Sequence, residues 1–347
     1  MGPYYTAETS LEHKFLIACT IDATIKLHTH GFKTKAVVCD GASSNLKMIK
    51  SFLGKQGLYD PGEEIKPKFV NPLTDSFTYF IICPTHQLKN MIAALYSSRP
   101  NGTKLFTKGG VQFGWEAIFS LYADDLERAR QNLNLHVPSM KLCYVVRDPW
   151  TRLNVKPAKI MQQTACIAAL QNKAAVENKD SIRKTAEYLQ ACNRIFERGF
   201  LSEYCVSSQN RVVLDIIHEG MDFMHAWRAD AAQAFPDVSL VSPKQKPFLA
   251  WQTWELMRIA HMGLEELCVD FLTTHPGYLI YPRRINGSVV ESLFSQFKYL
   301  SGGKLSAANY ETARAAYLTK VDVHGRKFRD EYRNAPLYIQ QSTLKRL

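Results

Sequence analysis

Lys33-Thr34-Lys35-Ala36-Val37-Val38-Cys39-Asp40-Gly41-Ala42-Ser43-Ser44-Asn45-Leu46 joins an apolar run to a single acid and then to a polar, helix-starting segment. Ala36 to Cys39 predicts a short buried strand, Asp40 a carboxylate at its end, and Gly41 a turn into a helix. A strand that ends in an acid is how phosphoryl-transfer folds bring a metal ligand to the edge of a sheet, where open α/β sheets keep their sites. Asp-Gly after an apolar run is also an ordinary turn. The choice between these readings rests on what flanks the stretch.

Upstream, Leu11, Phe15, Ile17, Ala18, Ile21, Ile25 and Leu27 recur at roughly helical spacing, with Ser10 placed as a cap and Gly31 as a stop. Downstream, Ser43 or Ser44 is placed to cap a helix carrying Met48, Ile49, Phe52 and Leu53. A Pro- and Gly-rich loop over residues 54–76 follows, then an apolar strand from Phe77 to Cys83 and a helix from about His86 to Leu95. Helix, strand, helix, strand, helix is the alternation of an α/β fold with parallel strands.

Past residue 100 the spacing becomes almost wholly helical, over 113–131, 157–178, 180–198, 209–234 and 246–274. Gly277 to Pro282 is extended. Asn286-Gly287-Ser288 then caps a helix bearing Val289, Val290, Leu293, Phe294, Phe297 and Leu300, Gly302-Gly303 ends it, and another begins near Ser306. The expected class is α/β plus all-α, predominantly helical. The expected divisions are an α/β region over 1–100, a helical domain over 101–276 and a C-terminal return over 277–347.

The 347 residues carry a formal net charge of +11, which favours a polyanionic partner such as nucleic acid. Eight cysteines without a Cys-x-x-Cys pair argue for reduced thiols rather than a disulfide framework or zinc finger. No apolar run reaches the ~18 residues of a membrane span, and the N-terminus lacks a signal-peptide layout. A soluble intracellular chain with no membrane partner is expected.

Three segments together resemble the P-element-type DNA transposases, whose metazoan relatives carry an N-terminal THAP zinc finger. Val38-Cys39-Asp40-Gly41-Ala42-Ser43-Ser44-Asn45 is similar to the family's strand with its second catalytic Asp. Cys83-Pro84-Thr85-His86-Gln87-Leu88-Lys89-Asn90 is similar to its Pro-x-His-Leu-x-Lys-Asn segment. Asn286-Gly287-Ser288-Val289-Val290-Glu291-Ser292-Leu293-Phe294 resembles the segment holding its last catalytic Glu. Their order, with a helical block between the second and third, is more specific than any one of them.

The resemblance implies an RNase H-like catalytic domain interrupted by a large helical insertion of GTP-binding type, a nuclear location, and transposon-end and target DNA as partners of a homo-oligomer. It also implies metal-dependent strand cleavage and transfer with Mg²⁺ or Mn²⁺, for which Asp40 and Glu291 would be catalytic and metal-ligating. His86 and Lys89 are DNA-contact candidates, each with a structural reading beside it. Arg283, Arg284, Lys298 and Lys304, joined by Lys320, Arg326, Lys327 and Arg329, form a basic set around the Glu291 segment, as phosphate contacts or as a solvated surface.

Two departures temper the enzyme reading. The family's first catalytic Asp lies on a strand preceding anything present here, so an N-terminally truncated copy with little or no nuclease activity is expected. The alternative is a domesticated, catalytically inactive derivative that binds DNA or protein. Family members often place an Asp three residues before the last Glu for guanine recognition, and Ser288 stands there instead. No Gly-x-x-x-x-Gly-Lys-Ser/Thr loop is present, so GTP follows from resemblance alone.

Of the remaining clusters, His28 with His30 and His218 with His225 lack ligand-spaced neighbours and read as satisfied or exposed histidines. Asp124-Asp125 with Glu127, Arg128 and Arg130 reads as a solvated helix face. Trp227, Trp251 and Trp254 read as core.

Overall fold

A computed structural model describes residues 12–54, 66–147, 151, 154–236 and 246–333, with backbone alone at 289, 307 and 323–333. The cap expected at Ser10 and the side chains of Arg326, Lys327 and Arg329 lie outside the described residues. The protein is predominantly helical with a few strands, as the hydrophobic spacing predicts. Its described residues fall into two compact units, one running to Gly287 and the other beginning at Ser288.

The first unit opens with α1 (His13–Thr29), β1 (Ala36–Cys39), α2 (Ser43–Phe52), β2 (Lys68–Asn71), β3 (Ser76–Ile82) and α3 (Pro84–Tyr96). The strands form one sheet in the order β1-β3-β2. β1 runs parallel to β3, with Cys39 opposite Ile82, as the alternation of helices and strands requires. β2 is antiparallel to β3 and lies in the segment expected to be loop. Its four residues sit between Pro67 and Pro72, too few to show a period, and only Phe69 and Val70 mark them. That ring packs 4.7 Å from Phe52 and 5.3 Å from Phe80.

β3 is the centre of this sheet and is buried from Thr78 onward, which explains its nearly continuous apolar sequence, the Thr78 hydroxyl being satisfied by Thr34 O at 3.0 Å. β1 is half-buried rather than buried, because among the described residues it has a neighbour on one side only. The helix after it begins at Ser43, with Ala42 rather than a serine in the cap position and no side-chain cap bond.

The helical block comprises α4 (Trp115–Arg130), α5 (Leu142–Val145), α6 (Val155–Met161), α7 (Thr164–Glu177), α8 (Asp180–Ile195), α9 (Val212–Ala234) and α10 (Trp251–Thr274). A small hairpin of β4 (Thr107–Lys108) and β5 (Val111–Gln112) precedes it. Trp227 on α9 is fully buried, its ring 4.9 Å from Phe106, 5.3 Å from Phe113 and 4.6 Å from Phe248, while its Nε1–H donates to Thr107 O at 2.8 Å. An apolar ring of this size with its one polar atom satisfied is a favourable core element. Trp254 is buried too. Trp251 is 46% exposed, on the solvent side of α10, with Lys50 Nζ 5.7 Å above its ring.

The acidic run on α4 also differs from expectation. Asp125 is buried, and its carboxylate accepts the His136 N–H at 2.7 Å and the Val137 N–H at 2.9 Å. The loop after α4 folds back over it, which the helical charge pattern does not reveal. Asp124 pairs with Lys173, and Glu127 with Arg130 at 3.2 Å.

α10 joins the block to the sheet. A Cβ added at Gly263 would stand 2.1 Å from Phe80 O, so helix and strand touch at their backbones. One continuous core of buried apolar side chains therefore runs from Ile49, Phe80 and Leu88 through Tyr188 and Trp227 to Leu264.

The second unit is a pair of helices, α11 (Ser288–Leu300) and α12 (Ala307–Arg333). Phe297 is its centre, 5.3 Å from the Tyr310 ring and 5.4 Å from Tyr317. Gly302 and Gly303 take φ of 73° and 92°, and the Gly303 N–H returns to Lys298 O at 2.8 Å, a left-handed helix stop that a side chain would strain. The apolar face of α11 runs through Leu293, Phe297 and Leu300, while Val290 and Phe294 are 54% and 42% exposed.

Candidate functional site

Asp40 stands at the carboxyl end of β1, exposed to solvent. Its Oδ1 accepts the Ala42 N–H at 2.9 Å and Asn45 Nδ2–H at 2.7 Å, so the turn and the first coil of α2 fix the carboxylate. Asn45 Nδ2 also lies 3.5 Å from Asp40 O. Gly41 is needed for a different reason than chain reversal. A Cβ there would stand 2.7 Å from Leu256 Cδ1 on α10 and 3.4 Å from Gln87 Nε2 on α3. The turn is thus pressed between two helices.

β3 ends beside β1, with the Cys83 N–H donating to Cys39 O at 2.8 Å. The segment Cys83–Asn90 therefore begins at the same sheet edge as Asp40. Pro84 opens α3 with no N–H to orphan. Gln87 is fully buried, and neither of its side-chain polar atoms has a hydrogen-bond partner. A buried amide left so, next to the Asp40 turn, carries a desolvation cost that a bound group or water would relieve.

The chain returns to this edge after the helical block. The Gly287 N–H donates to Cys83 Sγ at 3.3 Å, and a Cβ on Gly287 would sit 3.3 Å from the same sulfur. Asn286 Nδ2–H holds Arg283 O at 2.7 Å, which shapes the approach. Parts of all three segments that carry the resemblance, far apart in sequence, thus meet at the carboxyl ends of β1 and β3.

Two thiols sense this surrounding. Burial pushes the Cys39 thiol up to about 12, with the neighbouring Asp40 carboxylate and Cys83 adding to it. Burial acts upward on Cys83 as well, but hydrogen bonds from His86 and the Gly287 N–H outweigh it and leave that thiol below its ordinary value. His86 is thereby engaged with Cys83 at the start of α3. Nothing in the composition of the segment indicates this pairing, although Cys-x-x-His across a helix start is the spacing that allows it.

Glu291 lies four residues after Gly287 in sequence, exposed in the first turn of α11. Lys89 is half-buried on α3. Arg283 donates to Glu203 Oε1 at 2.9 Å, and the Arg284 guanidinium lies 5.3 Å from the Tyr281 ring centre. Lys298 and Lys304, in the second unit, are both exposed.

Such an arrangement defines a class: a helix-rich α/β protein with an acid at the carboxyl edge of a parallel strand pair and a large helical block between the sheet and the chain's return to it. No protein-family model matches the sequence, and no curated protein does. The fold is similar to that of the chain in the Drosophila P element transposase strand transfer complex. The TM-score is 0.66 at 15% identity, over 88% of this chain and 63% of that one. The chain thus spans less than two thirds of the length of the transposase it matches.

Proposed function

We propose that this chain is a P-element-type DNA transposase or a derivative of one, acting on DNA phosphodiesters through a divalent-metal site to which Asp40 and Glu291 contribute. The observation that carries the reading is the meeting of Asp40, Cys83 and Gly287 at one sheet edge. The likeness of fold to a strand transfer complex supports it. In this reading β1, β3 and α3 belong to an RNase H-like domain, residues 101–276 are its helical insertion, and the protein works in the nucleus as a homo-oligomer.

The donor chemistry fits the metal. Mg²⁺ and Mn²⁺ take hard oxygen ligands, and a ligating carboxylate is commonly held by outer hydrogen bonds of the kind Ala42 and Asn45 give Asp40. A bound metal pair would neutralise charge on the attacking and leaving oxygens of an in-line displacement. Arg283, Arg284, Lys298 and Lys304 would neutralise DNA phosphates, and His86 and Lys89 would face the same backbone.

GTP is a second proposed ligand. A cavity of about 510 Å³ in the helical block is lined by Phe235, Trp251 and Trp254 with Lys104, Arg228 and Lys246. Aromatic rings for a base beside cations for phosphates suit a nucleotide.

The test is binding of the full chain to fluorescent duplex DNA across a salt series, with and without Mn²⁺. Arg283→Ala with Arg284→Ala should reduce the salt slope by about 2, since each lost phosphate contact removes ~0.9. Asp40→Ala should keep metal-free DNA affinity and lose the Mn²⁺-dependent part. DNA binding without any Mn²⁺ response would favour the inactive derivative, and no DNA binding at low salt would overturn both readings.

A further inference from the structure

We propose that His218, His261 and Glu265 form a transition-metal site of Zn²⁺ type that ties α9 to α10. The site is independent of the Asp40 edge and of the transposase reading. His261 and Glu265 stand one turn apart on α10, and His218 reaches them from α9. Their three ligand atoms all lie within 4.8 Å of one another. Glu265 Oε2 is 3.1 Å from His218 Nε2 and 3.7 Å from His261 Nε2.

The two carboxylate–imidazole spacings are close to those of a zinc shell. With Zn–N and Zn–O bonds of about 2.0–2.1 Å, ligand atoms on a tetrahedron stand roughly 3.3–3.4 Å apart. The two observed separations bracket that value. Two imidazoles with one carboxylate also select Zn²⁺ and its neighbours over Mg²⁺.

An ion pair between His218 and Glu265 accounts for the shorter contact but not for His261. That residue is 9% exposed, and its Nε2 is buried with no hydrogen-bond partner. The separation from Glu265 exceeds hydrogen-bond length. A metal would satisfy this nitrogen and the other two ligands at once. Asp215 and Asp222 act on His218 and Asp222 on His261, adding negative field, while Arg211 acts on Glu265. Three protein ligands leave the fourth position to water.

The full chain, stripped with chelator and desalted, is titrated with Zn²⁺ by equilibrium dialysis and with Co²⁺ by visible absorption. One ion per chain is expected, with cobalt d–d bands and no thiolate charge transfer from the eight free cysteines. Thermal unfolding should shift upward with Zn²⁺. His261→Gln and Glu265→Gln should each weaken binding more than about tenfold, the loss seen even for outer-shell changes. His218→Gln tests the same loss at a half-exposed position should the buried variant fail to fold, and exposed His275→Gln should bind as the unchanged chain does. Absence of stoichiometric binding, thiolate charge transfer, or unaltered affinity in His218→Gln would overturn the assignment.

Discussion

Replacing Gly41 by alanine probes how the Asp40 turn is held. The added Cβ would fall 2.7 Å from Leu256 Cδ1, well inside contact distance, and 3.4 Å from Gln87 Nε2, an ordinary contact. Only the first needs relief. Leu256 is 3% exposed, so its methyl cannot swing into solvent, yet it is a side-chain terminus and not backbone. Overpacking of this kind costs about 1–3 kcal/mol, and the lower half of that range suits a terminus that can shift. Leu256→Ala alone leaves a cavity and costs about 2–5 kcal/mol. In the double variant the new methyl occupies part of that cavity, so the two costs should not add, and a coupling of roughly 1–2 kcal/mol is expected. Urea unfolding of the four proteins measures it. Additive losses within ~0.3–0.5 kcal/mol would refute the packing of α10 on the turn.

Two further substitutions test the buried polar groups. Asp125→Ala strips two buried N–H groups of their acceptor and should cost about 2–5 kcal/mol in unfolding free energy, with Asp125→Asn losing less. A loss below ~0.5 kcal/mol, as for a surface change, would return Asp125 to the solvated face. Glu255 is fully buried with neither carboxylate oxygen hydrogen-bonded, and burial raises its pKa against the opposing pull of Lys50, Arg258 and Arg228. The folded state therefore binds this proton more tightly than the unfolded one. Stability from this group is present in acid below the unfolded carboxyl value and declines as pH rises through the folded one. Glu255→Gln should accordingly be more stable than the native chain at pH 7, the gain shrinking toward pH ~4.3. A less stable variant at pH 7 would mean that Glu255 serves as a paired anion.

The edge at Asp40 was readable because an apolar run, an acid and a glycine follow one another without interruption, and β3 because its place at the centre of the sheet makes it apolar from Tyr79 to Ile82. β2 was not, since four residues between two prolines carry no period. Gly41 announced a turn, yet its requirement is the Leu256 side chain 215 positions away, a contact no local pattern encodes. Asp125 looked solvated because its helix neighbours are charged, whereas the loop that covers it begins after the helix ends. The histidine cluster was hidden for the same reason. His261 and Glu265 show ligand spacing on one helix, but His218 arrives from another, and pairing it with His225 by proximity in sequence points away from the third ligand.

The proposed function makes Asp40 and Glu291 ligands of a divalent metal ion. A Mn²⁺ titration of the full chain, followed by the free-ion electron paramagnetic resonance signal, tests it in the native protein, Asp40→Asn, Glu291→Gln and the double variant. Zinc is added first to fill the histidine site. Shared ligation predicts that either single change removes nearly all the tight Mn²⁺ binding and that the double variant loses no more. Independent, additive losses, or Mn²⁺ binding untouched by either change, would contradict it.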